Sequence, residues 1–373
     1  MARTPRRILR GTAAQVNAYI GPSGELDFDL DNGRLHVNDG INPGGVPHAR
    51  MADLAPLETR LDTAEGEIDT LQAAALISVG QPQGRLSLTT GVSVMSAAVA
   101  GGTTIRYVPH FGRIVPLYDG TKFVAVDLGG ELSQALTDNT KSPAAAVANT
   151  NYDMFVWDNA GTKRCTRGPA WSTGTARGTG AGTTEIEQVN GIWVNKYAIT
   201  NGPAARAGLY VGSIRTNASA QIDWSLGSGA AGGGVANMTI WNAYNQVEQP
   251  INVRDTTASW SYGGVARAMN NSNGNRINLL DGLGLGPVQA TLIARNAAPS
   301  GQFCFMQIGL DSVTTGAPSN ARSVATAIDV TSTSHFIGSV GLGFHYLQAL
   351  EGSSSGGGWY GNGDQAFQAR WSA

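Results

Sequence analysis

The sequence predicts a mostly β protein of roughly two to four domains, with one short helical segment between β-rich regions. At 373 residues the chain is too long for a single compact core of the usual size. Glycine accounts for 50 of the 373 residues, well above the share of roughly 7% in an average protein. Charged residues make up only 14% of the chain, against a usual share of about 25%. This balance is typical of turn-rich β structure in which much surface is buried between subunits.

The first 50 residues predict a small β domain. Polar and apolar residues alternate from Glu25 to Leu30 and again from Arg34 to Asn38, which is the period of a half-buried strand. Between these runs Asn32-Gly33 is a strong hairpin signal, because both central residues of a type I′ turn need positive φ. The segment is too small to bury a full core, so we expect partner chains to complete it.

From Asp53 the pattern changes to that of a helix. Apolar residues follow one another at spacings of three and four, which is the heptad repeat of a coiled coil. Arg60 at g and the following Glu65 at e place opposite charges across a parallel seam. An ordinary amphipathic helix on a globular core is the alternative, since three heptads are the minimum for a coiled coil. The predicted seam consists of Leu54, Leu57, Leu61, Ala64, Ile68, Leu71 and Ala75.

The rest of the chain is rich in short predicted strands. Residues 84–226 contain two predicted hairpins, which turn at Asp119-Gly120 and at Asn159-Ala160-Gly161, and an alanine-rich stretch between them predicts one or two short helices. Residues 227–234 (GSGAAGGG) have the composition of a flexible linker. Residues 235–373 again show short strands separated by turns, a spacing that predicts a β-sandwich or jelly roll.

The residue content excludes several classes of function. A net charge of −2 with scattered arginines gives no basic stripe for nucleic acid. The longest apolar stretches, such as Ala73–Val79, are far shorter than the roughly 18 residues of a spanning helix, so no membrane insertion is expected. Cys165 and Cys304 give neither a disulfide framework nor a metal-ligand spacing. Both are predicted to be small buried apolar residues.

Motifs of catalysis are missing from the sequence. The glycine-rich stretches 178–182 and 282–286 lack the Lys-Ser/Thr of a phosphate-binding loop, so they are predicted to be turn or packing glycines. The histidines are not spaced for a metal, and no Gly-x-Ser-x-Gly elbow is present. We therefore predict that the protein is not an enzyme and has no catalytic, cofactor-binding or metal-binding residue and no cofactor. Glycoside hydrolysis, which needs two carboxylates at a fixed separation, is left open by Glu185, Glu187, Asp223, Asp255, Asp311 and Glu351.

One aromatic pair is a candidate contact with a binding partner. Most aromatic clusters, such as Trp241/Tyr244 and Trp260/Tyr262, lie in strand patterns that predict core positions. Trp359-Tyr360 follows a serine and glycine stretch, and residues 353–363 are predicted to form a loop with few packing partners. We predict that these two aromatic residues contact a receptor. The alternative is that Trp359 folds back onto the core or onto a seam between subunits.

Two segments resemble known phage proteins. Leu9–Gln15, together with GELDFDLDNGRLHVNDGINPGGVPHAR (Gly24–Arg50), resembles the N-terminal domain of phage tropism-determinant and tail-fibre proteins. Asn151–Gly180 resembles an intermediate module of such fibres. The resemblance implies that the N-terminal domain trimerises and attaches a fibre to the particle. Residues 235–373 depart from the family, whose C-terminal domain is C-type-lectin-like; they are more similar to the jelly-roll knobs of many phage fibres, so no receptor residue is carried over.

With this resemblance the sequence predicts a homotrimeric fibre or spike of a phage-like particle, mounted on its tail or its head. Its expected partners are tail, baseplate or capsid proteins at the N-terminus and a host cell-surface glycan or protein at the C-terminal domain. The expected location is the virion, after synthesis in the bacterial cytoplasm. The predicted parts are a particle-anchoring β domain (1–50), a trimeric coiled-coil stalk (53–77), an intermediate β-rich domain (84–226), a Gly-rich linker (227–234) and a C-terminal β-sandwich knob (235–373).

Two other functions stay open at this point. The chain could be a capsid decoration or connector protein that has no receptor of its own. A polysaccharide depolymerase is the least favoured alternative, because such domains are usually long β-helices and no repeat of about 20 to 50 residues is present.

Overall fold

The computed structural model describes residues 8–49, 51–318, 320–321, 323–326 and 329–373. The chain divides into two compact units, Met1–Ala75 and Leu76–Ala373. Among the described residues strands far outnumber helices, so the prediction of a mostly β protein is confirmed.

The first unit contains a small sheet and a capped helical turn. Its elements before the long helix are β1 (Leu9–Gly11), α1 (Ala13–Ala18), β2 (Leu26–Asp29), β3 (Arg34–Val37) and β4 (Val46–Pro47). The strands lie in the order β1, β2, β3, β4, with β1 parallel to β2 and the other neighbours antiparallel. Thr12 caps α1 by accepting a hydrogen bond from the backbone N–H of Gln15, whose side chain in turn accepts from the N–H of Thr12.

The predicted hairpin between β2 and β3 is confirmed, since Asp29 pairs with Arg34. Its turn is not of type I′, because Gly33, at 63°, is the one residue of the four-residue loop with positive φ. The carboxylate of Asp29 instead accepts hydrogen bonds from the backbone N–H groups of Asp31 and Asn32. A side chain therefore fixes this turn rather than a two-residue backbone geometry.

The helix α2 (Met51–Val79) covers the segment predicted to be helical and extends slightly beyond it. Its 29 residues give a length of about 44 Å. The coiled coil stays a prediction, because it concerns contacts between chains.

The early part of the second unit is built from short antiparallel strands. They are β5 (Gly84–Ser87), β6 (Val99–Gly102), β7 (Thr104–Pro109), β8 (Ile114–Tyr118), β9 (Phe123–Asp127), β10 (Leu132–Ala135), β11 (Asn151–Asn159), β12 (Thr162–Ala170), β13 (Ile186–Val189), β14 (Ile192–Asn195), β15 (Leu209–Arg215) and β16 (Ile222–Ser225). Both predicted hairpins are confirmed as β8–β9 and β11–β12.

The helices expected between these hairpins do not form. Residues 130–150 contain β10 followed by turns. The carbonyl groups of Leu136 and Ala144 accept hydrogen bonds from the buried guanidinium of Arg167 instead of from helical N–H groups. Tertiary contacts have overridden the local preference of the alanine-rich sequence.

The later part of the second unit is organised around one very long strand. The elements are β17 (Gly229–Ala230), β18 (Ala236–Met238), β19 (Ile240–Asn242), β20 (Glu248–Asp255), β21 (Ser259–Ala268), a 3₁₀ turn (Met269–Asn271), β22 (Arg276–Asp281), β23 (Pro287–Ala297), β24 (Cys304–Leu310), β25 (Asn320–Ala321), β26 (Ser323–Ala325), β27 (Val330–Ser339) and β28 (Gly343–Ser372). Ala369 of β28 lies opposite both Ile251 of β20 and Ala290 of β23, so these two strands flank it. Apart from β19, the strands of this region form one hydrogen-bonded sheet, and the two-sheet jelly roll stays a prediction.

Residues 227–234, predicted to be a flexible linker, are packed into the fold. Within them β17 pairs with β20, and the N–H of Gly232 donates to the buried carboxylate of Asp255 at 3.0 Å. Gly233 has a φ of 98°, and a Cβ at this position would lie 2.5 Å from the backbone nitrogen of Asn275. Glycine here permits close packing, which composition does not distinguish from flexibility.

The two β regions predicted to be separate domains share one core. β6 pairs with β16, which also pairs with β18, and β19 pairs with β15. One hydrophobic cluster of buried side chains runs from Leu86 to Ala373. A boundary at residues 227–234 is therefore wrong, because strands from the two sides complete each other's sheets.

Candidate functional site

The interior of the first unit is polar. Among its described residues Val16 is the only buried large apolar side chain. The buried Asn38 donates from its amide to Asp27 at 2.6 Å and accepts from the N–H of Gly21 at 3.1 Å. His36 Nδ1 lies 2.6 Å from the carbonyl oxygen of Gly44. Hydrogen bonds rather than apolar packing hold this fold in a single chain.

Seven large apolar side chains that precede α2 are exposed on the surface of the first unit. Burying them would remove large apolar areas from water, and each Å² of apolar surface buried stabilises a protein by about 25 cal/mol. A domain of this size has little core of its own in which to bury these side chains. The exposed apolar side chains are those of Ile8, Leu9, Tyr19, Ile20, Leu30, Ile41 and Val46.

The predicted seam residues lie on α2 and are exposed. Every described side chain from residue 54 to residue 71 is exposed, so one chain leaves the helix solvated on all sides. The five leucine and isoleucine side chains of the seam are between 40% and 68% exposed. The side chain of Ala75 lies outside the described residues. The seam set comprises Leu54, Leu57, Leu61, Ala64, Ile68 and Leu71.

The helix α2 carries several features that weaken an isolated helix. Pro56 lies inside it and cannot donate a backbone hydrogen bond. The hydroxyls of Thr59, Thr63 and Thr70 donate to carbonyl groups four residues earlier, a pattern that slightly destabilises helices. These features make α2 a marginal helix on its own.

The prediction that residues 353–363 form a loop is wrong. They belong to β28, where Trp359 lies opposite Trp260 of β21 and Asn296 of β23. With strands on both sides the Trp359 side chain is 0% exposed. The glycines accommodate close strand packing, since a Cβ at Gly357 would lie 2.3 Å from the Sγ of Cys304. Trp359 is therefore part of the core, which was the alternative to a receptor contact, and it cannot touch a receptor in this conformation.

Tyr360, the second predicted receptor contact, is half-buried at the surface. The guanidinium of Arg295 lies 4.4 Å from the centre of its ring. Arg295 also forms ion pairs with Asp329 at 2.5 Å and with Asp364 at 3.2 Å. The ring is thus covered on one face by a charged cluster, and a receptor contact through Tyr360 stays a prediction.

The acids considered for glycoside hydrolysis are engaged in internal contacts. Glu351 is fully buried and accepts hydrogen bonds from Trp260 at 2.6 Å and from Arg267 at 2.9 Å, and burial raises its pKa. Asp255 is also fully buried and accepts from the side chains of Asn270 and Asn275. The other four pair as Glu185 with Lys196, Glu187 with Arg206, Asp223 with Asn217, and Asp311 with His345. These contacts stabilise the fold and give no support to catalysis.

The glycine-rich stretch 282–286 is a structural turn. The fully buried carboxylate of Asp281 accepts hydrogen bonds from the N–H groups of Leu283, Gly284 and Gly286, at 2.7 to 2.9 Å. The donors that a phosphate would need are thus satisfied by the protein itself. The prediction of a turn at these glycines is confirmed.

Both cysteines are free and buried, as predicted. Burial raises the pKa of the Cys165 thiol to about 12, so it stays protonated and unreactive. Within the described ranges no group of three or more His, Cys, Asp or Glu side chains could hold a metal ion. No helix in the described part of the chain is long and apolar enough to cross a membrane.

The first unit matches a known protein family. Residues 7–42 fit the family described as the major tropism determinant N-terminal domain. Residues 7–42 are thus similar to a tropism-determinant N-terminal domain. This match covers β1 to β3, and it confirms the resemblance drawn from residues 9–15 and 24–50 for the part that it spans.

Solved tropism determinants are similar to the chain only at low identity. The U1 variant of the major tropism determinant is 18% identical with a TM-score of 0.17, and the I1 variant is 16% identical with a TM-score of 0.18. Both comparisons cover 74% of this chain and 56% of the tropism determinant, so the chain spans just over half of their length.

A second kind of solved structure is similar at the same level. The insecticidal delta-endotoxin Cry8Ea1 from Bacillus thuringiensis is 12% identical with a TM-score of 0.18, over 80% of this chain and 55% of the toxin. TM-scores this low carry no argument about fold or function. No curated protein sequence matches the chain.

Proposed function

We propose that the chain is a structural fibre or spike protein of a phage particle. In this proposal residues 1–50 attach to a tail, baseplate or capsid protein, and residues 84–373 are presented to the host surface. The observation that carries the proposal is the match of residues 7–42 to the N-terminal domain of major tropism determinants. A domain family named for the determination of tropism fits a role in host attachment.

The working unit in this proposal is a parallel homotrimer. Support comes from the apolar side chains that one copy leaves exposed on the first unit and along α2. Three helices in register would bury Leu54, Leu61 and Ile68, which occupy position a of the heptad, and would leave the polar residues facing outward. Three copies would also place three identical distal surfaces on one stalk, which strengthens weak binding through avidity.

The main test is removal of residues 1–50. A chain without them should still form oligomers, because α2 and the second unit are retained, but purified particles should no longer contain it. Immunoblots of purified particles measure incorporation, and light scattering of the shortened chain is the control against misfolding. Normal incorporation of the shortened chain would show that the anchor lies elsewhere.

Host adsorption separates a receptor-binding fibre from a capsid decoration or connector. Particles that lack the whole chain should adsorb poorly to host cells if the chain recognises the host. Unchanged adsorption of such particles would favour the decoration or connector function.

A further inference from the structure

A polar groove crosses the outer face of the large sheet in the second unit. It has a volume of about 420 Å³ and lies over β20, β28 and β23. Along β20 and β23 exposed and buried residues alternate, so one face of each strand packs on the core and the other faces outward. The groove is lined mainly by Pro250, Asn252, Gln289, Thr291, Gln368 and Arg370.

The strand register aligns the polar side chains in a row across the sheet. Asn252 of β20 lies opposite Gln368 of β28, and Gln368 lies opposite Thr291 of β23. Thr291 in turn lies opposite His335 of β27, with 3.1 Å between its Oγ1 and the His335 Nδ1. Neighbouring strands are about 4.8 Å apart, so the row offers one hydrogen-bonding side chain at each such step.

Two exposed side-chain amides in this groove are free to bind a ligand. Within the described part of the chain the amides of Gln289 and Gln368 have no hydrogen-bond partner, and the Oδ1 of Asn252 is buried without one. Gln289 and Gln368 are exposed, and Asn252 is half-buried. A carboxamide presents donors and acceptors together, which matches hydroxyl groups that also donate and accept.

The lining disfavours other classes of ligand. Protein hot spots are enriched in Trp, Tyr and Arg in desolvated pockets, whereas the one arginine here, Arg370, is 70% exposed and lies 3.5 Å from Glu248. A single cation with an acidic neighbour also gives no site for a run of phosphates. A neutral, hydroxyl-rich chain is the ligand whose chemistry this surface complements.

We propose that this groove binds an extended glycan of the host surface, lying across the strands. Each sugar ring would meet the side chain of the next strand, because the strand spacing is comparable to the length of one pyranose ring. The inference rests on the proposed function in host recognition and assigns it a ligand class and a face. Binding at one groove is expected to be weak, and three copies on one stalk would raise the apparent affinity.

The test uses the full chain and polysaccharide extracted from the envelope of the host bacterium. The Gln289→Ala/Gln368→Ala variant removes two free amides from the groove, and Gln188→Ala, an exposed glutamine on β13, is the matched control. Titration calorimetry should show at least about tenfold weaker binding for the double variant, because two hydrogen-bonding groups are lost. The control variant should bind as wild type, and periodate oxidation of the sugar diols should abolish binding by every form.

Three results would overturn the glycan assignment. Equal binding by the double variant and wild type would place the glycan elsewhere, and a changed mass of the double variant in light scattering would make this face a contact between subunits. Wild-type chain that binds host cells but not their polysaccharide would refute the glycan and leave host recognition intact. Wild-type chain that binds neither would refute the proposed host recognition as well.

Discussion

At the scale of single residues, Arg177 lies at the centre of a buried polar cluster in the second unit. Its guanidinium donates to Asp153 at 2.6 Å, to the hydroxyl of Tyr210 at 3.1 Å and to the carbonyl oxygen of Gly282 at 2.5 Å. Asp153 is fully buried and also accepts from Ser213 at 2.7 Å. Since Gly282 comes from the later part of the unit, one side chain joins segments more than a hundred residues apart.

Removing this guanidinium should destabilise the protein strongly. Arg177→Ala leaves the buried carboxylate of Asp153 without its cation, so we expect the free energy of unfolding to fall by about 3 to 5 kcal/mol. The control is Arg113→Ala, because Arg113 pairs with Asp127 at 2.9 Å with both side chains about half exposed. Such a pair contributes about 0 to 1 kcal/mol. Urea denaturation at one fixed chain concentration measures the free energy of unfolding of both variants. Equal losses of stability in the two variants would contradict the structural role of Arg177.

At the level of single elements, local sequence signals predict several of the hairpins. The β2–β3, β8–β9 and β11–β12 hairpins follow from alternation and turn residues, which act within a few positions. The short helix α1 is not among the predicted elements, although its Thr12-Ala-Ala-Gln15 capping box is a sequence signal for a helix start. The heptad pattern of α2 also gives no sign of Pro56 inside the helix.

Charges in the seam of α2 should dissociate the oligomer. Leu61→Asp/Ile68→Asp places carboxylates where three chains would desolvate them, at a cost of several kcal/mol per site. We expect light scattering to show three chains of 38.7 kDa for wild type and one chain for the variant. Thr63→Asp/Thr70→Asp adds the same charge at positions outside the seam and should leave the trimer intact. A wild-type mass equal to one chain contradicts the coiled coil.

At the scale of the whole molecule, the second unit is expected to fold as one cooperative body. Residues 84–226 and residues 235–373, made separately, should lack the near-ultraviolet circular dichroism of packed tryptophans, because β16 and β18 pair across the division. A chain of residues 80–373 should retain that signal and unfold in a single transition. Two separately folded fragments would restore the division predicted from the glycine-rich segment.

Features that depend on neighbouring residues follow from the sequence alone. The β content, the hairpins, the long helix and the likeness of residues 7–42 to a known domain all rest on local sequence patterns. The lengths of the apolar stretches and the spacing of the cysteines and histidines predict neither a membrane-spanning helix nor a metal site.

Features that depend on pairings between distant residues become visible only in the folded chain. Trp359 looked like a loop residue because serine and glycine precede it, yet strands about 60 and 100 residues earlier enclose it. The groove could not be predicted either, since alternation along β20 marks an outward face but does not reveal which strands lie beside it. Asn252, Gln368 and Thr291 form one row only because the register of three strands aligns them, and register is set by packing of the whole core.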